Sequence, residues 1–99
     1  FKKRYIITVH THLSSNPDSV LKVINDAVRK VDGVLPDPAP DTYFHGIVER
    51  SLEFALYYWV SDNLFTVQSN VNLEIQKALK EANIVLVIPL QVNLEKPST

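Results

Sequence analysis

No cysteine occurs anywhere in this 99-residue chain, so disulfides and thiolate zinc sites are excluded. Methionine is absent too, and the chain begins at Phe1, so it is expected to be a piece of a longer protein. Glycine is scarce: Gly33 and Gly46 are the only two, too few and too far apart to build a phosphate-cradling loop. No apolar run exceeds seven residues; Ile84–Leu90, with Pro89 inside it, is such a run. A membrane-spanning helix needs about 20 residues, so this piece is expected to be soluble by itself. Neither sign of charge dominates. A net charge of −1 offers no broad basic field to nucleic acid or anionic lipid. What remains, 45% hydrophobic and 21% charged residues, suits one ordinary globular domain.

The chain alternates between period-two and helical patterns. Residues 5–13 are rich in β-branched residues and read as a strand. Its odd positions, Tyr5, Ile7, Val9, Thr11 and Leu13, are the more apolar set and are assigned to the core. Asn16 is placed to cap a helix, with Pro17 in its first turn and Asp18 at the positive end of its dipole. Val20, Leu21, Val23, Ile24, Ala27, Val28 and Val31 recur at helical spacing as one broad apolar stripe, and Gly33 supplies a stop. Pro36, Pro38 and Pro40 then make a stiff, extended connection. Residues 42–49 and 52–60 read as two strands joined around Arg50 and Ser51, hence an antiparallel hairpin. A second helix spans about 64–82, capped by Asp62 or Asn63, with Val67, Val71, Ile75, Ala78, Leu79 and Ala82 on one face. Asn83 suits its left-handed end, and Ile84–Ile88 forms a short final strand that Pro89 ends or kinks.

The order βαββαβ predicts an α+β fold, the ferredoxin-like plait: a four-stranded antiparallel sheet with two helices on one face. The domain would occupy residues 1–90, with 91–99 as a tail. Such a sheet leaves its other face open. Leu56, Tyr58 and Val60 would hold the core, while Ile6, His10, His12, Tyr57 and Trp59 would lie on the open side. Simple alternation adds Tyr43, His45 and Ile47 from the edge strand. Tyr57, Trp59, Tyr43, Ile47 and Ile88 are therefore the expected contact residues, because aromatic side chains bury much area with few rotors.

Candidate chemistry is thin. His10 and His12 share a strand face and His45 could approach them across the sheet, which raises a zinc site as the alternative reading: a metal-responsive plait domain of a membrane transporter. The plainer reading makes the three histidines polar residues on a contact face, with no cofactor and no metal. Asp37 and Asp41 fall in the proline loop, and Glu49 and Glu53 flank the hairpin turn, where solvated turn roles explain them. Ser14, Ser15 and Ser19 lie at a helix start, where capping explains them and no base is placed to activate a nucleophile. An enzyme is not expected. Tyr57 and Trp59 could imitate the stacked platform of an RNA-binding plait, but the first strand lacks a matching aromatic and the basic residues cluster at the ends.

Several pieces in order resemble the C-terminal cytoplasmic domain of the small-conductance mechanosensitive channel family, MscS-like. They are the basic-then-β run Lys3-Arg4-Tyr5-Ile6-Ile7-Thr8-Val9, the helix from Asn16 to Val31, and the proline–aspartate loop from Val34 to Pro40. The strand from Ser51 to Val60, which ends in an aromatic pair and Val, the helix end Leu73 to Ala82, and the apolar Ile84 to Pro89 complete the set. Asn83 stands where the family often has glycine, and Pro89 is followed by Leu90 rather than a nearby second proline. The resemblance implies transmembrane segments outside this chain, in the cell membrane, with this domain in the cytoplasm. It also implies seven identical subunits around a hollow vestibule, and a pore that opens under tension to release ions and small solutes.

Overall fold

Ten residues of β-rich sequence, Lys3–His12, form the central strand β1. The structure, a computed structural model, describes residues 2–87 together with the backbone of residues 91 and 92. β1 sends Ile7, Val9 and Thr11 into the core, as their alternation predicts. Leu13 does not follow them: the strand stops at His12, and Leu13 is exposed in the turn beyond it.

α1 (Pro17–Arg29) begins where expected. Asn16 accepts a hydrogen bond from the Ser19 backbone N–H at 3.2 Å, satisfying one of the orphan donors of the first turn. Its buried stripe is Val20, Ile24, Ala27 and Val28. The chain then turns, and Gly33 adopts φ +96°, a conformation that costs other residues dearly. The proline segment starts on the sheet: Val34 bridges Val60, and the Leu35 N–H donates to the Trp59 carbonyl at 2.9 Å. It bends at residues 36–38 rather than running fully extended.

β2 (Asp41–Val48) and β3 (Ser51–Val60) form the hairpin. Its turn is Glu49-Arg50, one residue earlier than the sequence suggested, with φ +48° and +66°. Two positive values in a two-residue loop are the type I′ geometry, whose twist matches the strands it joins. Ser51 fastens the turn by donating its hydroxyl to the Val48 carbonyl at 2.7 Å. β3 pairs with β1 along its whole length, Lys3 opposite Val60 and His12 opposite Ser51. β2 pairs with its other edge, with a bulge between Phe44 and Gly46.

α2 (Leu64–Glu81) buries Val67, Val71, Ile75 and Leu79, while Ala82 at its end is exposed. Asn63 occupies the cap position but is left-handed and makes no side-chain cap bond, so the expected cap is not formed. The C-terminus closes as foreseen. Asn83 takes φ +60°, the Ile84 N–H reaches the Leu79 carbonyl at 2.9 Å, and the Asn83 N–H reaches Lys80 at 3.0 Å. That crossed pair of bonds satisfies the last carbonyls of the helix.

The expected strand Ile84–Ile88 is not a strand in its described part. Leu86 makes a single bridge to Thr11, flanked by the His12 N–H to Val85 carbonyl and Val87 N–H to His10 carbonyl bonds, both 3.0 Å. The reason lies in the register. Continuing this pairing would place Pro89 opposite Thr8, where a backbone N–H is required and proline has none. Instead the ladder resumes two residues out of step as β4 (Gln91–Val92), pairing Thr8 with Gln91 and Ile7 with Val92. The stretch expected to be a tail therefore carries strand pairing. The result is an α+β fold in which a three-stranded antiparallel sheet, β2-β3-β1, is extended beyond β1 by short β4. Both helices share one core with Ile7, Val9, Leu52, Phe54, Leu56 and Tyr58, so they cover one face.

Candidate functional site

The face without helices is built by the alternate residues: Arg4, Ile6, Thr8 and His10 on β1, and Glu53, Ala55, Tyr57 and Trp59 on β3. Its two halves differ in chemistry. At one end Tyr57 and Trp59 are half-buried outside the core, as the alternation predicts. The Arg4 guanidinium lies over the Tyr57 ring, 5.2 Å from its centroid. Tyr43 meets the same ring edge-on, with centroids 5.7 Å apart at 74°. Tyr43 donates its hydroxyl to Asp41 Oδ2 at 2.7 Å, and this bond to a carboxylate holds its phenol above the usual range.

At the other end stands a cluster that sequence reading missed. Glu53 is not a solvated turn residue. Its Oε1 lies 3.0 Å from His10 Nε2 and its Oε2 lies 3.0 Å from His45 Nδ1. These hydrogen bonds, from His45 foremost and then His10, hold its carboxyl below the usual carboxylate range. His10 is buried on this face rather than open. The signal was present in the sequence: Glu53 shares strand parity with Tyr57 and Trp59, so it had to lie on the same face.

The three histidines are not brought together. His12 Nδ1 accepts the Ser14 backbone N–H at 3.1 Å and sits 2.8 Å from Ser14 Oγ, which makes it the local acceptor of a turn. Among the described residues no group of three or more His, Asp or Glu side chains is arranged to hold a metal ion.

Ile47 also differs from expectation. The bulge at Phe44/Gly46 resets the alternation, so Ile47 pairs with Leu52 and points to the helix side of the sheet, where it is 70% exposed at the rim. Phe44 and Ile47 make the outer strand apolar on that side, and Tyr43 and Val48 do so on the other. Phe65 and Leu73 on α2 are further exposed hydrophobics that the sequence reading did not single out. Ile88 lies outside the described residues.

The sequence matches the family described as Mechanosensitive ion channel MscS, C-terminal, over residues 6–86. The chain belongs to the MscS family of mechanosensitive ion channels. This is a family of membrane channels, not of enzymes. No helix among the described residues is long and apolar enough to cross a membrane. Among solved MscS-family structures, the closed-state crystal structure of Helicobacter pylori MscS is similar to this chain with a TM-score of 0.76 at 19% identity, over 99% of this chain and 39% of that one. The cryo-EM structure of Arabidopsis thaliana MSL1 is similar with a TM-score of 0.74 at 16% identity, over 88% of this chain and 34% of that one. At such identities the likeness is one of fold. The chain spans well under half the length of either channel. No curated protein matches it.

Proposed function

We propose that this MscS C-terminal domain is a non-enzymatic wall element of the cytoplasmic vestibule of a channel that opens under membrane tension and releases ions and small solutes. In this reading the domain is a ferredoxin-like plait, identical subunits surround the vestibule as a heptamer, and the membrane is crossed by segments outside this chain. The family match over residues 6–86 carries the reading. The uncovered sheet face supports it. Tyr57 and Trp59 stand on a surface that the domain's own core does not use, beside a cation and a third aromatic ring. Burying such a face between neighbours favours assembly without any chemistry. Tyr57, Trp59 and Tyr43 are the proposed contacts on that face, with Ile47 joining from the rim and Ile88 from the segment beyond it.

The test is assembly of the full-length channel in detergent, read by native mass spectrometry. Trp59→Ala or Tyr57→Asp lowers the fraction of complete rings, while the isolated domain keeps its far-ultraviolet circular dichroism. Intact rings in both variants would sink the proposed contact set. Against the metal-responsive alternative stands the absence, among the described residues, of three or more His, Asp or Glu side chains arranged to hold a metal ion.

A further inference from the structure

Three strands each contribute one side chain to the cluster at the far end of the uncovered face. His10 comes from β1, Glu53 from β3 and His45 from the bulge of β2. An ionised carboxylate only accepts, so both facing ring nitrogens carry the proton: His10 donates from Nε2 and His45 from Nδ1, each across 3.0 Å. The two rings are then inequivalent. In the neutral ring His10 Nδ1 is bare, and it is buried without a partner. The His45 side chain is 43% exposed, so its remaining nitrogen is open to water. His10 is thus the inner arm on Glu53, and His45 is the outer arm.

The outer arm sits where the ladder is weakest. His45 lies between Phe44 and Gly46, the two positions where the register of β2 against β3 breaks. A bulge leaves its extra residue outside the strand pairing. Gly46 at φ +108°, where a Cβ would meet nothing within 4 Å, adds backbone freedom to the same spot. The His45–Glu53 hydrogen bond therefore supplies a cross-strand tie at a place where backbone pairing is interrupted.

We propose that His10, Glu53 and His45 form a proton-operated latch that fastens the bulged edge strand β2 to the sheet while Glu53 is a carboxylate and frees it when Glu53 takes up a proton. A protonated Glu53 keeps one acceptor oxygen and gains an O–H donor, so it can no longer accept from two N–H groups. The remaining titratable groups nearby are committed elsewhere. On β1, His12 is bound to Ser14; on β2, Asp41 and Tyr43 are bound to each other. Glu49 and Arg50 sit at the hairpin turn, Arg4 lies over Tyr57 at the opposite end, and residues 84–87 bring no titratable side chain. Because the folded-state carboxyl of Glu53 lies below its ordinary range, the latch contributes fully above the ordinary carboxylate range and is lost as pH falls through the lower folded value. Opening it frees the strand that carries Tyr43 to its place against Tyr57.

Amide hydrogen exchange of the 99-residue chain, followed by NMR as a function of pH, tests this. In the wild type, protection factors at residues 44–48 stay level from neutral pH to about pH 5, then fall roughly tenfold or more as Glu53 is protonated, while those of residues 5–9 in β1 hold. Glu53→Ala and His45→Ala both show the lowered β2 protection already at neutral pH and lack the acid step. His45→Ala alters an exposed side chain, so it reports even where Glu53→Ala disturbs the sheet. Wild-type protection of β2 at neutral pH in His45→Ala overturns the proposal, as does a simultaneous loss of protection in β1 and β2.

Discussion

The guanidinium of Arg4 rests over the ring of Tyr57, 5.2 Å from its centroid, on the side of the sheet that no helix covers. Cross-strand pairing makes this possible: Arg4 is opposite Trp59 and Ile6 is opposite Tyr57, so the long Arg4 side chain reaches diagonally to the next ring. With Tyr43 edge-on to the same ring, a cation and two aromatics form one layer.

Removing the cation tests the layer. Arg4→Ala lowers stability by about 0.5–1 kcal/mol, the range of an exposed cation–π contact, and leaves the fold intact. The check is thermal unfolding by circular dichroism, which should show a drop of a few degrees and an unchanged folded spectrum.

Gly33 is constrained twice. Its φ of +96° disfavours any side chain, and a Cβ built there would run into a methyl of Val67 on α2. Gly33→Ala is expected to cost on the order of 2–3 kcal/mol, because backbone strain and core displacement add. Urea denaturation should show a lower midpoint with an unchanged slope.

The hairpin turn is suboptimal. Glu49 and Arg50 both hold positive φ, which asparagine and glycine adopt at less cost. The double substitution Glu49→Asn with Arg50→Gly should raise stability by about 1 kcal/mol, read as a higher urea midpoint.

Tyr58 is a buried phenol of the core. Burial first, and then nearby Tyr5, push its phenol up to about 12 from an ordinary value of 10.0. The folded state therefore holds this proton more tightly than the unfolded chain. The stability linked to it is complete below about pH 10 and is lost as pH rises toward 12. Absorbance near 295 nm should show a phenolate step near pH 12 that accompanies unfolding, and Tyr58→Phe should remove that step.

Much of this arrangement follows from side-chain periodicity. The parity of β3 places Tyr57 and Trp59 away from Leu56, Tyr58 and Val60, and the stripes of α1 and α2 name their buried faces before any contact is seen. Parity fails wherever the backbone adds a residue. The bulge beside Gly46 turns Ile47 to the other side, and only the isolated glycine hints at it. The slip beyond Leu86 escaped for a related reason. Pro89 suggests an end or a kink, and periodicity alone does not say that pairing with β1 resumes two residues out of step at Gln91. The Glu53 cluster escaped because its proximity to the turn suggested solvent, although cross-strand parity already joined it to His10.

Trp59 takes part in two structures at once, through different atoms. Its carbonyl receives the Leu35 N–H and so anchors the crossover from α1, while its side chain stands on the uncovered face. The anchoring bond is indifferent to which side chain is present. Position 59 is therefore a place where surface chemistry can be rewritten while the scaffold stays put, so an altered neighbour preference can arise there by single substitutions without a new fold.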